Sequence, residues 1–185
     1  VEFILVKGDV VMKKILTALI MVCLMLPLVT LPVFGGAPTD VGGSFGYTFY
    51  STGDAKIGGR NLFFPSGDDE TWIGDLDGTA GTLYTLILHG TDPYSDPGQF
   101  VSKGTFVGSV QGSDEGTAAF QLTGHQKAGV LWYGTWSIGR GTEGLKGVHG
   151  QGTWWFDPGA AQDPDPGPDD PPMFFTYEGQ VHWVP

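Results

Sequence analysis

The chain has 185 residues, of which 41% are apolar, 13% aromatic and only 16% charged, and 31 are glycine. That composition supplies a packed core and argues against a disordered segment, so one compact domain is expected. A formal net charge of −11 repels phosphate backbones and anionic lipid, which excludes nucleic acid and membrane surfaces as expected partners.

Cys23 is the single cysteine. It lies in the N-terminal apolar run, so the folded domain is expected to have no disulfide, cysteine metal site or thiol nucleophile. Met12-Lys13-Lys14 followed by Ile15 to Leu26 has the basic and apolar regions of an export signal. Val33-Phe34-Gly35 then offers a cleavage site after Gly35. Residues 1–36 are therefore read as upstream residues and a signal helix starting at Met12, and 37–185 as the domain. Pro27 and Pro32 interrupt the apolar run too early for a spanning helix, so a membrane anchor is the weaker reading. The expected location is secreted or on the cell-envelope exterior, anchored only if the signal is retained.

After Gly35 the apolar period is two. Ser44 to Ser51 (SFGYTFYS) reads as a first strand with Phe45, Tyr47 and Phe49 on one face. Gly53 to Gly59 reads as a turn, Asn61 to Phe64 as a short run ending at Pro65, and Ser66 to Glu70 as an acidic turn. Thr82 to His89 (TLYTLILH) is the most apolar strand, with Tyr84, Leu86 and Leu88 on one face and both faces expected to be partly covered. Strands follow at Gly104–Gly112, Thr117–Leu122 and Gly129–Ile138, the last with Val130, Trp132, Gly134, Trp136 and Ile138 on one face. Short strands with turn signals about every ten residues indicate an all-β sandwich or barrel.

Gly134 to Trp155 (GTWSIGRGTEGLKGVHGQGTWW) reads as strand, glycine-rich turn and strand. Asp157 to Pro172 is rich in Asp and Pro, cannot form a ladder and is expected to be a solvated loop. Phe174 to Trp183 closes the domain, with Phe175, Tyr177, Gly179, Val181 and Trp183 on one face and Thr176, Glu178, Gln180 and His182 on the other.

The segments GTFVGSVQG from Gly104, GTAAFQLTG from Gly116, GTWSIGRGTEGLKGVHGQGT from Gly134 and YEGQVHW from Tyr177 resemble the allene oxide cyclase-like barrels, a group that includes dirigent proteins. The resemblance implies a single antiparallel barrel of about eight strands, calycin-like in architecture, holding side chains or one small ligand. It carries over no reaction and no catalytic residue.

Trp132, Trp136, Trp154, Trp155 and Tyr177 are candidate ligand contacts, since aromatic platforms bind sugars and planar molecules. The competing reading is core, with rings covering strand glycines. Of Trp154 and Trp155 one must leave the interior, because strand neighbours face opposite ways. Glu178 and His182 share a face and are candidates for a polar pair. Asp157, Asp163, Asp165, Asp169 and Asp170 could gather calcium, though without the order of an EF-hand loop. Asp68, Asp69, Glu70, Asp75 and Asp77 form a second acidic group; paired-carboxylate catalysis would need two of them about 5–10 Å apart in a cleft, and solvated turns are the favoured reading. His89, His125, His149 and His182 lack zinc-site spacing. The sequence reading is a non-catalytic binding or structural module for a small-molecule or carbohydrate ligand, with no cofactor, no metal and no catalytic set. The alternatives are an isomerase or cyclase with its site in the barrel, or a calcium-dependent surface protein.

Overall fold

The computed structural model describes residues 36–90, 96–127, 130–164 and 171–185; the expected signal segment lies outside them. Nine strands follow in chain order: β1 Thr39–Ser51, β2 Lys56–Gly58, β3 Asn61–Gly74, β4 Leu76–Leu88, β5 Gly98–Val110, β6 Gly116–Lys127, β7 Val130–Gly139, β8 Val148–Phe156 and β9 Phe175–Trp183. A 3-10 turn, Glu143–Leu145, links β7 to β8. Every pairing between strands is antiparallel, and β1 closes the sheet by pairing with both β9 and β3. Eight strands thus form a closed barrel, with β2 appended to β3.

The stagger follows from the register. A path from Phe49 through Asp68, Thr82, Gly104, Phe120, Ile138, Gly150 and Val181 returns to β1 at Thr39, ten residues from its start. With ordinary strand spacing and rise, that stagger tilts the strands by roughly 40°. Closure leaves no sheet edge for another chain to extend along the eight strands.

Alternation assigns the walls. Trp72, Phe106, Phe120, Trp136, Trp154, Phe175 and Tyr177 point inward and are buried. Their rings touch, Phe45 on Trp72 at 4.2 Å and Trp72 on Tyr177 at 4.9 Å between centroids. Gly152 and Gly179 make room for the Trp136 indole, which a Cβ at either glycine would meet at 2.5–2.6 Å. The pairing of rings with glycines expected from the sequence is therefore physical: the missing Cβ lets an indole lie against the opposite backbone.

The two ends differ. At one, the β3–β4, β5–β6 and β7–β8 connections meet, tied by Gln111 N–H to Asp75 O (2.6 Å) and Gly144 N–H to Glu115 O (3.1 Å). Leu145 of the 3-10 turn is fully buried there together with Leu76, Val110 and Val148, so that end is plugged. The Tyr177 hydroxyl accepts from Leu76 N–H (2.8 Å) and lies 3.3 Å from the Ile73 and Leu76 carbonyls. Tyr177→Phe leaves the buried Leu76 N–H without its acceptor. Urea denaturation is expected to show a loss of about 1–3 kcal/mol.

Several local expectations are corrected: β4 and β5 begin at Leu76 and Gly98, before the expected Thr82 and Gly104, and β2 lies inside the expected Gly53–Gly59 turn. β3 runs unbroken through Pro65 and through the acidic residues expected to turn. Pro65 is tolerated because its nitrogen and carbonyl share one side, where β1 pairing has just ended; the carbonyl accepts from Thr52 N–H (3.0 Å) and no β3–β4 bond needs the missing donor. The first strand starts earlier than expected, at Thr39. The outer face of β4 is not covered at Leu83, which is exposed.

Candidate functional site

The alternation that places Trp72 inward does the same for Asp68 and Glu70, four and two residues before it, while Asp69 faces solvent. Glu70 is 2% exposed and Asp68 7%. These carboxyls sit in the barrel wall beside aromatic neighbours, not in a solvated turn, which corrects the sequence reading. One strand step of two residues separates their Cα atoms by about 6.5–7 Å.

Each carboxyl has its own donors. Trp72 Nε1–H donates to Glu70 Oε2 (2.9 Å) and Thr82 Oγ1 to Glu70 Oε1 (3.0 Å). Tyr84 Oη lies 2.9 Å from both oxygens of Asp68 and donates to them. Register explains the set: Asp68 is opposite Thr82 and Ser66 is opposite Tyr84, so β4 reaches the acids of β3 with hydroxyls alone. Burial pushes the Glu70 pKa up to about 8; the Trp72 and Thr82 bonds oppose this, and the charges of Asp68 and Asp69 add to it. Burial pushes Asp68 up to about 7, against the Tyr84 hydrogen bond and with help from Asp69. The Tyr84 hydroxyl is pushed well above the usual phenol range, first by burial and then by the charge of Asp68. Burial thus shifts both carboxyls toward the neutral, protonated state.

Above these groups the inward faces become aromatic and accessible. Tyr47 and Phe49 share the inward face of β1, opposite Glu70 and Asp68, yet are 40% and 44% exposed. Phe49 stacks on Phe64 at 5.7 Å, and half-buried Phe100 lies between Tyr84 (4.8 Å) and Trp132 (5.5 Å). Inward-facing rings that remain in contact with solvent define the open end. The arrangement is an aromatic rim over a polar floor, the composition typical of small-molecule sites. A concavity of about 320 Å³ lies on the outer wall, bordered by Thr48, Asp69, Thr71, Thr79 and Pro171. Glu70 and Ala80 also border it, but their side chains face the lumen, so the perturbed carboxyls do not belong to that groove.

The fold has a solved counterpart. A protein of unknown function from the DUF3224 family of Shewanella oneidensis MR-1 matches at a TM-score of 0.59 and 17% identity, over 80% of this chain and 100% of that one. At that identity the likeness establishes the barrel and carries no activity. Neither family models nor curated proteins match the chain.

The residues singled out in the sequence are distributed over three places. Trp136, Trp154 and Tyr177 are buried core in the lumen. Trp132 packs against that core from the open end. Trp155, Glu178 and His182 are on the outer wall. Trp154 faces in and Trp155 out, as strand alternation requires; Trp155 is 36% exposed. Glu178 and His182 share a face but are four strand residues apart, about 13 Å, so they do not form a pair; His182 meets His149 instead. Asp157 accepts from Gly159 N–H (2.8 Å) and the Thr176 hydroxyl (2.8 Å), which makes it a loop anchor. Asp165, Asp169 and Asp170 lie outside the described residues. Among the described residues no group of three or more His, Cys, Asp or Glu could hold a metal ion.

Proposed function

We propose that the chain is a non-catalytic binding module that takes a small, neutral, partly apolar ligand at the open end of its barrel. The observation that carries this reading is the coincidence of solvent-accessible inward rings with buried carboxyls that favour the neutral state. Phe49, Phe64, Phe100 and Trp132 offer ring faces to an apolar body. The Asp68–Tyr84 pair and Glu70 form a polar floor whose carboxyls are shifted toward the neutral state. The surrounding charge of −11 disfavours an anion at the rim. Export to the cell exterior and kinship with the allene oxide cyclase-like barrels belong to the same proposal.

The neutral probe N-phenyl-1-naphthylamine tests it by fluorescence titration. Saturable binding is expected, weakened at least fivefold by Phe100→Ala and unchanged by Trp155→Ala on the outer wall. Absence of saturation, or dependence on Trp155, would move the site away from the barrel mouth.

The two carboxyls also favour a second reading. An acid with raised proton affinity beside a group that exchanges a proton near neutrality is the pairing that isomerases and cyclases use for proton transfer. Asp68→Asn separates the readings: a binding module retains affinity for the neutral probe in this variant, whereas an enzyme loses turnover of its substrate while still binding it.

A further inference from the structure

The four histidines are dispersed in sequence, but the barrel register sets two of them face to face. His149 on β8 is directly opposite His182 on β9. Both are on the outer wall, with ring centroids 5.7 Å apart and planes within 20° of parallel. On the far side of His149 the opposing residue of β7 is Gly139. A Cβ there would come within 3.4 Å of His149 Nδ1, so the missing side chain leaves that flank of the ring open. We propose that His149 and His182 form a two-imidazole chelate for a divalent transition ion, a site independent of the barrel mouth.

Directly opposed residues of an antiparallel pair have Cβ atoms about 4.5–5.5 Å apart. Two imidazole nitrogens bound tetrahedrally at about 2.0–2.1 Å from one ion are separated by roughly 3.3 Å. Rotation of the side chains brings the rings to that separation with no change in the ladder. The ladder holds both Cα positions, so little ordering of the backbone is needed on binding. Imidazole suits zinc, copper and nickel, whereas calcium and magnesium prefer oxygen ligands. The negative charge of the chain raises the local cation concentration. With two protein ligands the remaining coordination positions hold water, so the ion is exchangeable.

Titration of the full chain with Zn2+ or Cu2+ alone, in a buffer that does not chelate, tests the proposal. One equivalent is expected to bind and to raise the melting temperature, with EDTA reversing the shift and Ca2+ producing none. His149→Gln and His182→Gln are each expected to weaken binding at least tenfold, and His125→Gln to leave it unchanged. Copper spectra should show two coordinated imidazole nitrogens. Circular dichroism of the variants confirms that the barrel is intact, since both side chains are outside the core. Binding that survives in either single variant, or no saturation below millimolar metal, would overturn the site.

Discussion

Replacing Glu70 by Gln is expected to make the protein more stable in alkaline solution and to leave it unchanged in acid. Because burial holds the folded carboxyl at about 8, against 4.5 for the free group, the folded state binds a proton that the unfolded chain releases. Stability from such a group is fully present below the unfolded value and is lost as pH rises through the folded one. The wild type should thus be most stable near pH 4 and decline toward pH 9, passing through the values of about 7 and 8 for Asp68 and Glu70. Each pH unit between the two states corresponds to ~1.4 kcal/mol, which puts the advantage of Glu70→Gln at pH 9 at about 3–5 kcal/mol. The amide keeps both contacts: its oxygen accepts from Trp72 Nε1–H and its NH2 donates to the Thr82 hydroxyl. Urea melts at pH 4.5, 7 and 9 give the comparison. Parallel profiles for wild type and variant would mean that Glu70 is ionised and hydrated in the fold.

Gly152→Ala is expected to cost about 3 kcal/mol or more, or to prevent folding. An added Cβ there collides with the backbone carbonyl of Glu178 and meets the Trp136 indole. Neither can retreat. The carbonyl belongs to a strand paired with β8, and the indole is buried among Tyr177 and the opposing glycines. Gly53→Ala serves as control: its Cβ would find only the Pro65 ring at 3.7–3.8 Å, and a change within about 0.5 kcal/mol is expected. Equal losses at the two glycines would show that backbone freedom, and not ring packing, governs the effect.

The contrast between these residues shows what the sequence discloses. Strands β6 to β9, and the later halves of β4 and β5, were legible because large apolar side chains alternate with small or polar ones and glycines mark the connections. The same alternation separated Trp154 from Trp155 and divided β9 into its two faces. β3 was not legible, since Pro65 and three consecutive acids carry the local signature of a turn. The informative pattern was the period of two in Phe64, Ser66, Asp68, Glu70 and Trp72, which continues an inward face through polar residues. Local charge hides it, because only pairing with Thr82 and Tyr84 on β4 supplies the donors that allow such acids to be buried. Those partners lie 12 to 16 residues away in sequence. The opposition of His149 and His182 depends likewise on register, which strand periodicity alone does not fix.

The reading of the open end rests on uncharged acid buried in its floor. Carbon-detected NMR of the side-chain carboxyls, followed from pH 3 to 10, reports each group separately. Glu70 and Asp68 are expected to change protonation near 8 and 7, with Glu70 still a carboxylic acid at neutral pH. Midpoints close to 4 for both would show ordinary hydrated carboxylates and contradict the account.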